Sequence, residues 1–259
     1  MSDLLTITSR DNPLLMRLRK LARAPGAYRK LGAVWLEGDH LCSALRSRGR
    51  PAAQALISQT AMQRKDLREL AHWAPRVAVL PDALFAAVSA LDTPAAAGIG
   101  FVIDAPPTLA VQANIATVVL DRVQNAGNVG SILRSTAAMG FEQVIAIEGS
   151  AALWSPKVLR AGMGAHFALA LVEGASEGVI EWLQLPVLSG SSHAAQALDS
   201  AVLPWPCAWV FGHEGQGVSP TLLAHCAQTL RIPQPGGEES LNVAAAAAIC
   251  LYASSRGRG

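Results

Sequence analysis

Short apolar runs of strand length alternate with helix-length segments along nearly all of this 259-residue chain, and few architectures accept that alternation. In the first part AVWLEG (33–38), QALIS (54–58), RVAVL (76–80) and GIGFVID (98–104) read as strands. Helical segments over 39–49, 61–73 and 81–91 separate them. In the second part IATVVLD (115–121), QVIAIEG (143–149), HFALALV (166–172), PVLSG (186–190), CAWVFG (207–212) and QTLRI (228–232) read as strands. Helices are expected at 129–139, 155–163, 176–184, from Pro220 to near His225, and from about Ser240. Such alternation predicts α/β structure. The Pro-rich stretch DAPPTLAVQAN (104–114) divides it. The expected organisation is a small N-terminal α/β domain over 1–104 and a larger parallel-sheet domain over 114–259.

Residues 9–23 precede the first strand and read as a helix capped by Asp11 or Asn12, with Pro13 in its first turn. Leu14, Leu15, Leu18 and Leu21 recur at helical spacing, while Arg17, Arg19, Lys20 and Arg23 project elsewhere. Residues 1–100 carry 14 Lys/Arg against 8 Asp/Glu, and residues 101–259 carry 7 against 11. A basic first module beside an acidic second one suits contact with a polyanion, although a solvated basic surface looks the same.

Apolar content of 51% with mean hydropathy +0.30 supplies a core and excludes disorder. The longest uncharged apolar run, Val243–Ala253, has 11 residues, against the roughly 20 that span a bilayer. The first residues, MSDLLTITSRDNP, lack the charged start and long apolar run of a signal peptide. A soluble, cytoplasmic protein without membrane contact is expected. Cys42, Cys207, Cys226 and Cys250 form no CxxC pair, and no HxxxH occurs, so no metal site is expected.

Three stretches carry chemistry. In LDRVQNAGNVGSILRSTAAMGF (120–141) a strand ends at Asp121 and a helix begins near Asn128. Val129, Ile132, Leu133 and Ala137 form its apolar face, and Arg134 lies at the rim. A solvated arginine and a plain Asn cap would explain these equally well. The Gly-bearing turn also mimics a dinucleotide fold, but GNVG is not G-x-G-x-x-G. In VFGHEGQGVS (210–219), Gly212, Gly215 and Gly217 frame Glu214. That pattern marks backbone in close approach to a ligand, or an ordinary turn with a surface acid. In RIPQPGGEESLNVAAAAAICLY (231–252) a strand ends at Ile232, and a helix opens with Glu238, Glu239, Ser240 and Asn242 at its mouth. A helix N-terminus offers free N–H groups and partial positive charge; Ser240 as an ordinary cap is the bland alternative. All three lie at the carboxyl edge of the expected sheet, where open α/β sheets bind ligands.

These stretches together resemble the SpoU/TrmH class of the SPOUT superfamily, the S-adenosylmethionine-dependent RNA ribose 2′-O-methyltransferases. Asn128, Gly130, Arg134 and Gly140 match the family's first motif. Gly212, Glu214, Gly215 and Gly217 match its second, and Ile232, Pro233, Ser240, Leu241, Asn242 and Val243 its third. RAGMGAHF (160–167) is similar to a further family segment, and residues 8–58 resemble the substrate-binding module of enzymes acting on large-subunit ribosomal RNA. Ala126-Gly127, Gln234 and Ala244 stand where the family often has Asp-Pro, Met and Ser.

The resemblance implies a deep trefoil knot near 207–259, a homodimer, and S-adenosylmethionine lined by Gly212, Ile232 and Leu241. It implies Arg134 at the centre of catalysis, holding the target phosphate and stabilising the developing alkoxide. It gives Ser240 and Asn242 to orientation, Asn128 to the loop or nucleotide, and Glu214 to the loop's shape. The expected partner is RNA, ribosomal before transfer RNA. A non-catalytic RNA-binding relative and a nicotinamide-dependent oxidoreductase are the competing classes.

Overall fold

Twelve strands among the described residues fall into two sheets, each belonging to its own compact unit. The computed structural model describes residues 3–90, 98–236 and 240–256. The first unit comprises Met1–Pro107 and Trp154–Phe167; the second comprises Thr108–Leu153 and Ala168–Gly259.

The first unit's sheet has the order β1-β4-β3-β5-β2. Its strands are β1 (Asp3–Thr6), β2 (Ala33–Glu37), β3 (Gln54–Ser58), β4 (Arg76–Leu80) and β5 (Ile99–Asp104). β1, β4 and β3 run parallel, and β5 pairs antiparallel with both β3 and β2. β5, last in sequence, therefore lies inside the sheet. β1 is an exposed edge strand that the alternation pattern does not reveal.

Around this sheet lie α1 (Pro13–Arg23), α2 (Ala27–Leu31), α3 (Asp39–Ser47), α4 (Gln59–Gln63), α5 (Lys65–Ala71) and α6 (Asp82–Val88). Asn12 caps α1 by accepting from Leu14 N at 2.9 Å, and Leu15, Leu18, Leu21 and Ala22 are its buried face. The single helix expected over 61–73 is two, because Arg64 between them is extended (φ −77°, ψ 122°).

The second unit's sheet has the order β10-β12-β9-β11-β6-β7-β8, and every pairing is parallel. Its strands are β6 (Thr117–Asp121), β7 (Gln143–Ile147), β8 (Ala170–Ala175), β9 (Val187–Gly190), β10 (Gln196–Ala197), β11 (Ala208–Gly212) and β12 (Gln228–Arg231). β6, β7 and β11 are buried at every position, as strands covered on both faces must be. Buried Gln143 is satisfied within this core: its amide nitrogen donates to Gln112 O and Thr117 Oγ1, and its oxygen accepts from Gln112 N.

Helices α7 (Ala126–Ala138), α9 (Pro220–Ala224) and α10 (Val243–Ser255) belong to this unit, and α10 packs against α7 and β11. Indole Nε1 of fully buried Trp209 donates to Ser254 Oγ at 2.8 Å, pinning α10 to β11.

Three sequence expectations are corrected. HFALALV is not one strand: Ala165–Ala168 is a 3-10 turn and the strand is Ala170–Ala175. His166 and Phe167 instead stack near Trp154, at 5.1 and 6.4 Å between centroids. The helix expected over 176–184 is a 3-10 turn, Glu177–Trp182. α8 (Pro156–Gly162), assigned from sequence to the second half, packs on α1 and β2 within the first unit.

Candidate functional site

β6 and β11 are neighbours in register, with Asp121 opposite Gly212 at their carboxyl ends. The order turns here: β6, β7 and β8 proceed one way, while β11 and β9 lie the other way. A crevice at such a switch point is where α/β sheets place ligands.

The loop after β11 is tightly folded. Gly217 N donates to His213 O at 2.8 Å, and the His213 ring nitrogen accepts from Gly215 N and Gln216 N. Gly212 is required here by packing: a Cβ on it would lie 2.1 Å from Gly217 C and 2.2 Å from Val218 N. No side chain survives that approach.

Glu214 sits at the tip of this loop and reaches the connection between β6 and α7. Its carboxylate accepts from Gln124 N (3.3 Å), Asn125 N (3.1 Å) and Asn128 Nδ2 (3.1 Å). Partial desolvation pushes its pKa up, but hydrogen bonds from its own N–H, Asn128, Asn125 and Gln124 outweigh that and hold it below the usual carboxylate value.

Asn128 also joins the third motif: its Oδ1 accepts from Asn242 Nδ2 at 3.1 Å. Asn242 Oδ1 in turn accepts from Ala244 N and Ala245 N at 2.9 and 3.4 Å. The chain has one direction. A carboxylate that only accepts stands at one end and helix N–H groups that only donate stand at the other, so both amides between them are oriented.

Two caps differ from expectation. α7 is capped by Asn125, whose Oδ1 takes Gly127 N and Asn128 N at 2.8 and 3.2 Å. Asn128 is thereby the third helical residue, and its side chain is released for bridging. α10 is capped by Asn242, not Ser240, because Asn242 is the residue directly before the helix and holds the non-helical φ/ψ of −54°/137°. The expectation for Glu238 and Glu239 lies outside the described residues.

A sequence model of the SpoU rRNA Methylase family matches residues 116–252, more than half of the chain. The chain belongs to this family. It is 30% identical to an uncharacterized tRNA/rRNA methyltransferase of Synechocystis sp., over 98% of this chain and 95% of that relative. It is also 30% identical to the 23S rRNA (guanosine(2553)-2′-O)-methyltransferase RlmP of Bacillus subtilis, over 86% of this chain and 88% of the relative. Among solved structures, the SpoU methyltransferase AviRb from Streptomyces viridochromogenes, in complex with the cofactor AdoMet, superposes with a TM-score of 0.86. That match covers 95% of this chain and 98% of AviRb at 24% identity, a likeness of fold.

In this SpoU methylase the structure brings Asn128, Glu214 and Asn242 together and sets Gly212 beside the end of β6. Arg134 is exposed and hydrogen-bonds to no described residue. Six residues of helix put its Cα about 9 Å along the axis from that of Asn128. Ser240 is exposed and likewise makes no hydrogen bond to a described residue.

Past β12 the main-chain groups of Ile232, Gln234, Ser240 and Leu241 pair with no other backbone group among the described residues. Gln234 Oε1 is buried without a partner there. Ile232 is half-buried, and Leu241 is exposed.

All four cysteines are free. Burial pushes the Cys207 thiol up to about 11 and Cys250 up to about 12, so neither is a nucleophile at neutral pH. Among the described residues no group of three or more His, Cys, Asp or Glu side chains could hold a metal ion. No helix among them is long and apolar enough to cross a membrane.

The sequence reading missed Asn125 and the pair Asp121 and Arg122. Asn125 was legible as an Asx residue two positions before a glycine. Nothing in the sequence shows that Asp121 is buried or that Arg122 takes a positive φ.

Proposed function

We propose that this protein transfers a methyl group from S-adenosylmethionine to a ribose 2′-OH of RNA, with ribosomal RNA as substrate. The observation that carries this is the chain Glu214–Asn128–Asn242, which joins all three family motifs at one sheet edge. When bound, S-adenosylmethionine supplies a methyl on cationic sulfur that is already activated toward an oxygen nucleophile.

Main-chain groups of Ile232 and Leu241 suit the cofactor, and the orphaned carbonyl of Gln234 suits an exocyclic amine. Arg134, uncommitted to any described partner, holds the target phosphate and stabilises negative charge growing on the 2′-oxygen. A guanidinium stays protonated in proteins, so Arg134 does not take the hydroxyl proton. Asn242 and Ser240 orient the ribose at the mouth of α10. Positioning of two reactants carries much of the rate in such a displacement.

Several finer features belong to the same reading. β12 lies beyond β9, away from β11, whereas α10, which follows it, packs on α7 and β11. A chain that returns across strands it has left supports a trefoil knot near 207–259. On α10 the exposed apolar residues Ile249 (41%) and Tyr252 (54%) share a face with Ala245, which supports a homodimer. Exposed Arg17, Lys20, Arg23, Arg29 and Lys30 support RNA contact by the N-terminal domain over 1–104. Four free cysteines suit a reducing cytoplasm.

The test is labelled-methyl transfer to RNA from a strain lacking the gene. Wild type should label ribosomal RNA at a ribose. Arg134→Ala should lose transfer while retaining cofactor binding by calorimetry. Exclusive labelling of transfer RNA would move the substrate to the tRNA half of its Synechocystis relative's description. No labelling of either RNA would leave a non-catalytic binder.

A further inference from the structure

The methyltransferase site leaves one ion pair unused, between a half-buried arginine and a buried aspartate, and it lies at the same sheet edge. Asp121, the last residue of β6, is fully buried. Its carboxylate accepts from Arg122 Nε at 2.7 Å and Nη2 at 3.1 Å, a bidentate pair, and from Ser219 N at 2.6 Å. Arg122 turns its third nitrogen toward the loop: Nη1 donates to Gln216 Oε1 at 2.9 Å.

Arg122 takes φ +56°, an uncommon conformation for a residue of its size. Strain of this kind persists only where the surroundings over-determine it. Gly149 makes the room: a Cβ there would lie 3.2 Å from Arg122 Cγ. The guanidinium is thus built into a fixed slot at the end of β6.

Gln216 and Ser219 flank the glycine turn that Glu214 grips from the other side. The loop over 213–219 is therefore held twice by one connection, through Glu214 to Gln124, Asn125 and Asn128, and through Gln216 and Ser219 to Arg122 and Asp121. We infer that Arg122 is a positioning residue for the cofactor: seated on Asp121, it holds Gln216 and so sets the backbone of the Gly212–Ser219 loop against which S-adenosylmethionine binds. Arg122 acts through the loop and touches neither substrate. This inference rests on the methyltransferase reading.

The experiment compares wild type with Arg122→Ala, Arg122→Lys, Gln216→Ala and Gln216→Glu in the full chain. Loss of one charge-assisted hydrogen bond should weaken S-adenosylmethionine binding by about tenfold in calorimetry. Gln216→Ala should show this, and Arg122→Ala, which also removes both hydrogen bonds to buried Asp121, should weaken binding at least as much, each with KM for the cofactor raised and kcat at saturation unchanged. Gln216→Glu keeps an acceptor and should restore affinity; Arg122→Lys, which cannot form the fork, should not. Amides of Gly215–Val218 should exchange faster in both alanine variants, measured without cofactor. Unchanged affinity in Arg122→Ala, or a fall in kcat at unchanged affinity, overturns the inference. Should wild type itself not bind S-adenosylmethionine, the methyltransferase reading falls, and the cofactor role falls with it. Amide exchange then still decides the clamp, which unaltered rates in Arg122→Ala would refute.

Discussion

At the residue scale, Glu214 is the group on which the site's polar order depends. It is the acceptor-only end of a chain of oriented amides, and a glutamine there must turn an N–H toward one of three donors. Glu214 is exposed and its hydrogen bonds compete with water, so Glu214→Gln should lower stability by no more than about 1 kcal/mol at neutral pH, a melting shift of at most about 2–4 °C. The pH dependence follows from the depressed carboxylate pKa. Its contribution is complete above the unfolded-state value of 4.5 and is lost as pH falls below that value and through the lower folded one. Melting curves of wild type and variant should therefore converge in acid. A gap that stays constant from neutral pH to pH values below the carboxylate range would refute the assignment. Asn128 and Asn242 need no titration to act: their amides are oriented by Glu214 at one end and by α10 at the other.

At the element scale, the turn after β11 and the seating of α10 are the two fragile junctions. Gly212→Ala puts a methyl inside the Gly217–Val218 backbone, which has no flexible end to yield. Overpacking of this order costs about 1–3 kcal/mol and displaces the loop. Cofactor affinity should fall by more than stability, since the loop is displaced before the sheet is lost. A fully active Gly212→Ala enzyme would show that the turn tolerates what its geometry forbids. At the other junction, Ser254→Ala leaves buried Trp209 Nε1 without its acceptor. An unsatisfied buried donor costs about 1–3 kcal/mol. Thermal melts of Ser254→Ala should drop accordingly, and restoration by Ser254→Thr would attribute the loss to the hydroxyl.

At the scale of the whole molecule, the two units divide the charge. Lys20 on α1 and Lys30 on α2 are exposed and make no ion pair with a described residue. Replacing both with glutamate should weaken RNA binding and reduce the salt slope of log K by about 2, one for each phosphate that is no longer neutralised. Cofactor affinity should not change. Equal salt slopes for variant and wild type would remove α1 and α2 from the RNA-binding surface. Truncation is a poorer test than it looks from sequence. Trp154–Phe167 belongs to the first unit, so a chain cut at residue 107 strands α8 and exposes Val158 and Leu159.

The α/β class, the parallel second sheet and the three motifs were legible because strand and helix periods differ and because glycine, proline and asparagine mark turns in sequence. Arg134, Asn128 and Asn242 could be named from their places in the three motifs and from the family resemblance that these carry, although their partners could not. What only the tertiary structure decided are the long-range pairings. Glu214 meets Asn128 across 86 residues, Asn242 meets Asn128 across 114, and Asp121 meets Ser219 across 98. Local propensity contains no information about such distances. β5 inside its sheet and α8 in the first unit share that cause: each was settled by which buried surface lay within reach once the sheet had closed.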